Sequence, residues 1–208
     1  MKRIFLPLFL LVLASCAGPK WSEISTDDGF NVITQKKGQT LGYSSASGVA
    51  ILEDKGYAFK DMNRNGVLDP YEDWRLPAAE RAADLAQRLS IEEIAGMMLY
   101  SSHQSVPSGG GMFGGATYDG KPYAQSGAQA SDLSDAQKKF LTDDNLRAAL
   151  VTTVESPAVA ARWNNNMQML VEGMGHGVPV NISSDPRHET SATAEYNYGA
   201  GGEISHWP

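Results

Sequence analysis

Oxygen-bearing side chains recur at alternate positions through Asp61-Met62-Asn63-Arg64-Asn65-Gly66-Val67-Leu68-Asp69-Pro70-Tyr71-Glu72. Calcium takes about six to eight hard oxygens, and this spacing lets one segment wrap an ion. The side chains of Asp61, Asn63, Asn65 and Asp69, the carbonyl of Val67 and a bidentate Glu72 supply such a set, while Gly66 permits the sharp turn. Asp73 stands where an apolar residue usually follows the closing glutamate, and no entering helix is apparent before Asp61. The alternative is an Asn-Gly turn flanked by solvated carboxylates. A cation bound here is structural, since one unpaired loop offers no cooperative switch.

A second group follows Val178-Pro179-Val180-Asn181-Ile182-Ser183, which reads as a strand. Immediately beyond it come Ser184, Asp185, Pro186, Arg187 and His188. In parallel α/β sheets and barrels, ligands bind at the carboxyl ends of the strands. Asp185 can accept two hydroxyl hydrogen bonds, Arg187 donates in a fixed fork, and His188 adds an imidazole, which together suit a sugar. The alternative is an Asp-Pro turn with a surface ion pair. Glu155, after the preceding strand, lies on the same edge or serves as a charge in the first turn of the next helix.

Other chemistries find no support. The four histidines, His103, His176, His188 and His206, lack the spacing of a zinc site. No Gly-x-Ser-x-Gly elbow occurs. Gly115-Ala116-Thr117-Tyr118-Asp119-Gly120-Lys121 ends in Pro122 where a phosphate loop needs Ser or Thr. Trp163 on its helix reads as a core aromatic.

These groups must be carried by an alternation of helices and strands. A strand is expected between Gly48 and Phe59, and a helix over 77–89 with Ala82, Leu85, Ala86 and Leu89 on one face. Ser90-Ile91-Glu92-Glu93 is a capping box, after which Ile94 to Tyr100 predicts a buried helix. The glycine-rich stretch 106–127 predicts a long irregular loop, and 135–149 returns to helical spacing. Ala149 to Val154 is a strand, Ser156-Pro157 opens a helix ending at Gly173 to Gly177, and Val178 to Ser183 is the next strand. Residues 149–183 are thus a strand–helix–strand unit with parallel strands.

The chain has 208 residues, 42% of them hydrophobic and 20% charged, a globular composition. Lys+Arg 17 against Asp+Glu 24 leaves net −7, so nucleic acid is not an expected partner. Lys2 and Arg3 precede the apolar stretch Ile4 to Leu13, a bacterial secretory leader too short to span a bilayer. Leu13-Ala14-Ser15-Cys16 reads as a lipobox, with the chain's one cysteine at the position that is acylated; an ordinary leader with a chance cysteine is the alternative. Acylation at Cys16 provides membrane anchoring. Ala17 follows in place of an inner-membrane-retaining Asp, which predicts a cell-envelope lipoprotein of the outer membrane. The domain division expected is 1–15 leader, 16–48 polar tether, 49–76 EF-hand-like calcium loop region and 77–208 catalytic-type domain.

Several segments together resemble glycoside hydrolase family three, particularly the amino-terminal portion of bacterial β-glucosidase-like lipoproteins. They are Phe59 to Gly66 with Asp69 to Trp74, Leu89 to Glu93, Val151-Thr152-Thr153, Ala161-Arg162-Trp163-Asn164-Asn165, Gly177 to His188 and Gly201 to Pro208. The resemblance implies an α/β fold, the amino-terminal part of a (β/α)₈ TIM-type barrel. It also implies a retaining enzyme for β-linked oligosaccharides, with no cofactor required for catalysis. Such catalysis uses two carboxyl groups ~5–5.5 Å apart, one forming a glycosyl-enzyme. Asp185 matches the family's aspartate that holds hydroxyls of the terminal sugar, whereas Arg187 and His188 depart from the commoner Asp-Ala-Val-His-Gly form. The family's nucleophile and acid/base fall in regions without a counterpart here, so the expectation is an incomplete barrel, below the ~250 residues of eight strands, without turnover. A calcium-stabilised carbohydrate-binding lipoprotein without catalysis is the rival expectation.

Overall fold

The computed structural model describes residues 18–108 and 116–184. Cys16, Asp185, Arg187 and His188 lie outside the described residues.

The stretch expected as a tether carries, over its described part, an antiparallel sheet of β1 (Trp21–Ser25), β2 (Asn31–Gln35) and β3 (Leu41–Tyr43). Its polar composition hides a short alternation in which Ile33 turns inward and becomes fully buried. Two strands, β4 (Ala50–Asp54) and β5 (Tyr57–Asp61), form the next hairpin where a single strand was expected. Lys55 and Gly56 both take positive φ, 53° and 81°, which matches the right-handed twist of a two-residue hairpin turn. Gln35 joins the two sheets: its amide donates to the Ala58 carbonyl and its oxygen accepts the Ala58 N–H. Phe59 stacks on Trp74 at 5.2 Å between ring centres beneath them.

Helix α1 (Ala78–Arg88) and helix α2 (Ile91–Met97) follow. The half-buried face of α1 runs through Arg81, Asp84, Leu85 and Arg88, while Ala82 and Ala86 are exposed. Polar reach, not the expected alanine stripe, docks this helix. The capping box at Ser90 and Glu93 forms as read, each side chain bonding the other's backbone N–H. The buried helix expected through Tyr100 does not form. Helix α2 stops at Met97, and Ile91, Met98, Leu99 and Tyr100 are exposed. The close contact is made instead by Gly96, packed on the backbone of Asp144 and Asn145.

The second half is an α/β layer. Strand β6 (His103–Val106) leads on to a short hairpin, β7 (Thr117–Tyr118) with β8 (Lys121–Pro122), and helix α3 (Tyr123–Ser126), inside the stretch expected to be irregular. Helix α4 (Asp135–Thr142) ends earlier than its apolar spacing implied, because Ala148 and Ala149 already belong to β9 (Ala148–Val154). Helix α5 (Pro157–Glu172), with Ser156 accepting from the Val159 N–H, crosses to β10 (Asn181–Ser184). The strand before Asp185 is thus shorter than read. Val180 hydrogen-bonds the Gln168 side chain through both backbone groups, which keeps it out of a ladder.

Strands β10, β9 and β6 lie side by side in that order and are parallel. Helix α5 covers one face through Trp163, Met167 and Val171, which pack with Val106, Leu141, Ala149, Val151 and Val154 in the main core. Trp163 is 1% exposed and donates its indole N–H to Gln137, a core role as read. Among the described residues this parallel sheet has three strands and does not close into a barrel.

Candidate functional site

Strand β5 delivers Asp61 into the loop, and the sequence then turns at once because its own side chains take its amides. Asp61 accepts the N–H groups of Asn65 (3.0 Å) and Gly66 (2.8 Å) through its two oxygens. Asn63 accepts from Asn65 N–H and Asn65 from Val67 N–H, two consecutive Asx turns. Gly66 at φ 76° takes the left-handed position of this turn. Glu72 closes the loop from the far side. One of its oxygens accepts Met62 N–H at 2.7 Å and the other Asp69 N–H at 3.0 Å. Asn63 and Asn65 both donate their side-chain amides to Asp69.

Six of the residues read from the sequence, Asp61, Asn63, Asn65, Val67, Asp69 and Glu72, are therefore gathered in one loop, with the three carboxylates buried. Asn65 and Val67 are exposed. Among the described residues no three His, Cys, Asp or Glu side chains stand together as a metal cluster. A cation in this loop would draw on asparagine and carbonyl oxygens as well.

The loop is dense in negative charge. Burial pushes the Glu72 carboxyl above its ordinary range, against the pull of the N–H groups it accepts. Burial first, and the neighbouring Glu72 charge next, raise the Tyr71 phenol. Among the described residues the buried Tyr71 hydroxyl has no hydrogen-bond partner. Among the described residues the cation that meets the loop's carboxylates is Arg88, 2.9 Å from Asp69. Spacing arguments missed both groups: Tyr71 lies between ligand positions, and Arg88 is brought back by the turn into α1, which Asp84 helps to hold by accepting the Tyr71 N–H.

The other feature is the carboxyl edge of the parallel sheet. Val106 pairs with Val154, and Ser184 with Val151, so the ends of β6, β9 and β10 lie on one edge. The Glu155 N–H bonds the Val106 carbonyl at 2.9 Å, placing the exposed Glu155 there too. Residues 185–188 follow β10 directly in sequence.

Over 163 residues the chain is 37% identical to a periplasmic β-glucosidase/β-xylosidase of Dickeya chrysanthemi, covering 77% of this chain and 22% of that protein. The chain is related to β-glucosidases of the family-three type. Its β-glucosidase relatives include a probable β-glucosidase C of Aspergillus oryzae, 27% identical over 169 residues (78% of this chain, 24% of that protein). A β-glucosidase C of Emericella nidulans is 25% identical over 148 residues (71% and 21%). The chain spans less than a quarter of the length of these β-glucosidases. No protein-family profile matches the chain. Among the described residues no helix is long and apolar enough to cross a membrane.

Proposed function

We propose that this chain forms part of a glycoside hydrolase that cleaves β-linked oligosaccharides by a retaining double displacement, on a (β/α)₈-type barrel. The observation that carries the reading is the parallel β9–α5–β10 crossover, which leads directly into Asp185-Pro186-Arg187-His188 in a relative of β-glucosidases. Asp185 holds hydroxyls of the terminal sugar, and Arg187 and His188 border the same subsite. The nucleophile and the acid/base come from other parts of such an enzyme. Binding of a cationic iminosugar of gluco configuration tests the reading. Asp185→Asn is expected to weaken it by about tenfold or more, the loss of a charged acceptor; unchanged affinity would overturn it.

The loop of Asp61, Asn63, Asn65, Val67, Asp69 and Glu72 holds a structural calcium ion in this reading. Among the described residues three buried carboxylates share one guanidinium, which leaves net negative charge in the loop, and buried charges are ordinarily paired or bound to metal. The ion would supply that compensation and take no part in bond cleavage.

Cys16 carries the lipid that anchors the protein in the cell envelope, at the outer membrane. The name of the Dickeya chrysanthemi relative, a periplasmic protein, supports an envelope location. Cys16→Ser is expected to release the protein from the membrane fraction and to abolish fatty-acid labelling; persistence of the label would refute the anchor.

A further inference from the structure

A cavity of about 300 Å³ lies where the amino-terminal sheet and β5 meet α5. Phe30, Tyr43 and Met169 give it apolar faces, and Lys60, Glu172 and Asn165 give it polar groups. Lys60 Nζ and Glu172 Oε1 are 2.7 Å apart, so their opposite charges offset each other at the cavity wall. Glu172 is fixed further by the Ser44 N–H, which donates to its second oxygen at 2.7 Å. Nothing in this wall selects an ion. The polar groups are held in place, since Lys60 also donates to the Gly42 carbonyl at 3.1 Å, and an ammonium has a third donor and a carboxylate further lone pairs beyond these contacts. Asn165 differs from its neighbours on the helix. Asn164 accepts from Gln168 and Asn166 donates to Ser131, whereas the half-buried Asn165 carboxamide has no protein partner among the described residues.

A neutral ligand with one apolar face and hydroxyls round its rim matches these walls. Aromatic rings offer large, flat apolar area, a carboxamide both donates and accepts, and a carboxylate beside an ammonium does the same. The volume is at the lower end of the ~300–1,000 Å³ range of small-molecule sites, enough for one ring and not for a chain. We propose that this cavity binds one pyranoside ring of a neutral saccharide, at a site separate from the β10 edge. The ring packs on Tyr43 and Phe30 while its hydroxyls bond Asn165 and the Lys60–Glu172 pair. The site is made by the amino-terminal sheet against α5, so it stands whether or not the chain belongs to a hydrolytic enzyme.

The test is binding of cellobiose to the 208-residue chain, followed by calorimetry and by saturation transfer from protein to sugar. The wild-type chain is expected to bind. Asn165→Ala, which removes a single half-buried carboxamide, and Met169→Trp, which fills the cavity, are each expected to weaken binding by about tenfold or more. Asp185→Asn is expected to leave this binding within about twofold. Melting curves of both cavity variants check folding, and if Met169→Trp does not fold, Asn165→Ala decides alone. Absence of binding in the folded wild-type chain would overturn the site. So would unchanged affinity in Asn165→Ala, or a loss seen in Asp185→Asn and not in the cavity variants. The last result would leave the β10-edge reading standing, and an effect in Asn165→Ala with none of Asp185→Asn on iminosugar binding would do the reverse.

Discussion

Arg88 reaches back from the last turn of α1 to place a guanidinium nitrogen 2.9 Å from Asp69, while its Nε bonds Asp84 at 2.8 Å. One side chain thereby ties the loop to the helix that follows it and brings a cation to the loop's carboxylates. The arrangement makes the loop's stability depend on how its negative charge is compensated.

Arg88→Ala is expected to lower the melting temperature of the fold, since Asp69 stays buried and loses its ionic partner. Calcium at millimolar concentration is expected to raise the melting temperature of the wild-type chain, and to raise that of Arg88→Ala by more. Glu72→Gln should abolish both shifts. A melting temperature indifferent to calcium and to chelator would remove the ion from the proposal.

Gly96→Ala tests whether close packing outweighs helix propensity. Alanine is favoured over glycine inside a helix by roughly 1 kcal/mol. Here, however, an added Cβ would meet the Asp144 carbonyl oxygen at 2.3 Å and Asn145 at 2.6 Å, both backbone or close to it. Overpacking of this kind costs about 1–3 kcal/mol. Chemical denaturation is expected to show net destabilisation, and a gain in stability would refute the close contact.

The acid limb of stability should reflect Asp73. Its hydrogen bonds to Arg75, foremost the side-chain pair at 2.6 Å, hold its carboxyl below the ordinary range. A depressed folded value contributes stability that is present above the unfolded value, about 3.9, and is lost as pH falls toward the folded one. Asp73→Asn is expected to lower stability at neutral pH by about 1 kcal/mol or less for a partly exposed pair. Its stability curve should be flatter than wild type below about pH 4. Parallel acid limbs in the two proteins would count against this assignment.

Hydrolysis of an aryl β-glucoside by the 208-residue chain is expected to be undetectable, because the retaining mechanism needs both a nucleophile and an acid/base near the scissile bond. Turnover that survives purification and disappears with Glu155→Gln would show that the described carboxyl edge already holds a catalytic carboxylate.

Local chemistry was readable from the sequence wherever a few adjacent residues decide the outcome. The capping box at Ser90 and Glu93, the start of α5 at Ser156-Pro157 and the turn of Asp61 to Gly66 close through bonds no longer than a few residues. The strand–helix–strand order after residue 148 was readable too, because period and punctuation are properties of the chain itself. The sheet at 21–43 escaped because strands this short owe their stability to their neighbours, here the Gln35 bonds to Ala58, and not to composition. The fate of Met98, Leu99 and Tyr100 escaped for the same reason, since an apolar run is buried only where another layer meets it.

The sequence by itself determined which oxygens could surround a cation and which residues follow the carboxyl end of β10. Tertiary structure alone decided that Arg88 meets Asp69 and that Lys60 on β5 meets Glu172 at the end of α5. The latter pair is separated by 112 positions along the chain. Spacing carries no information at that range; contact there depends on how the sheets and helices pack.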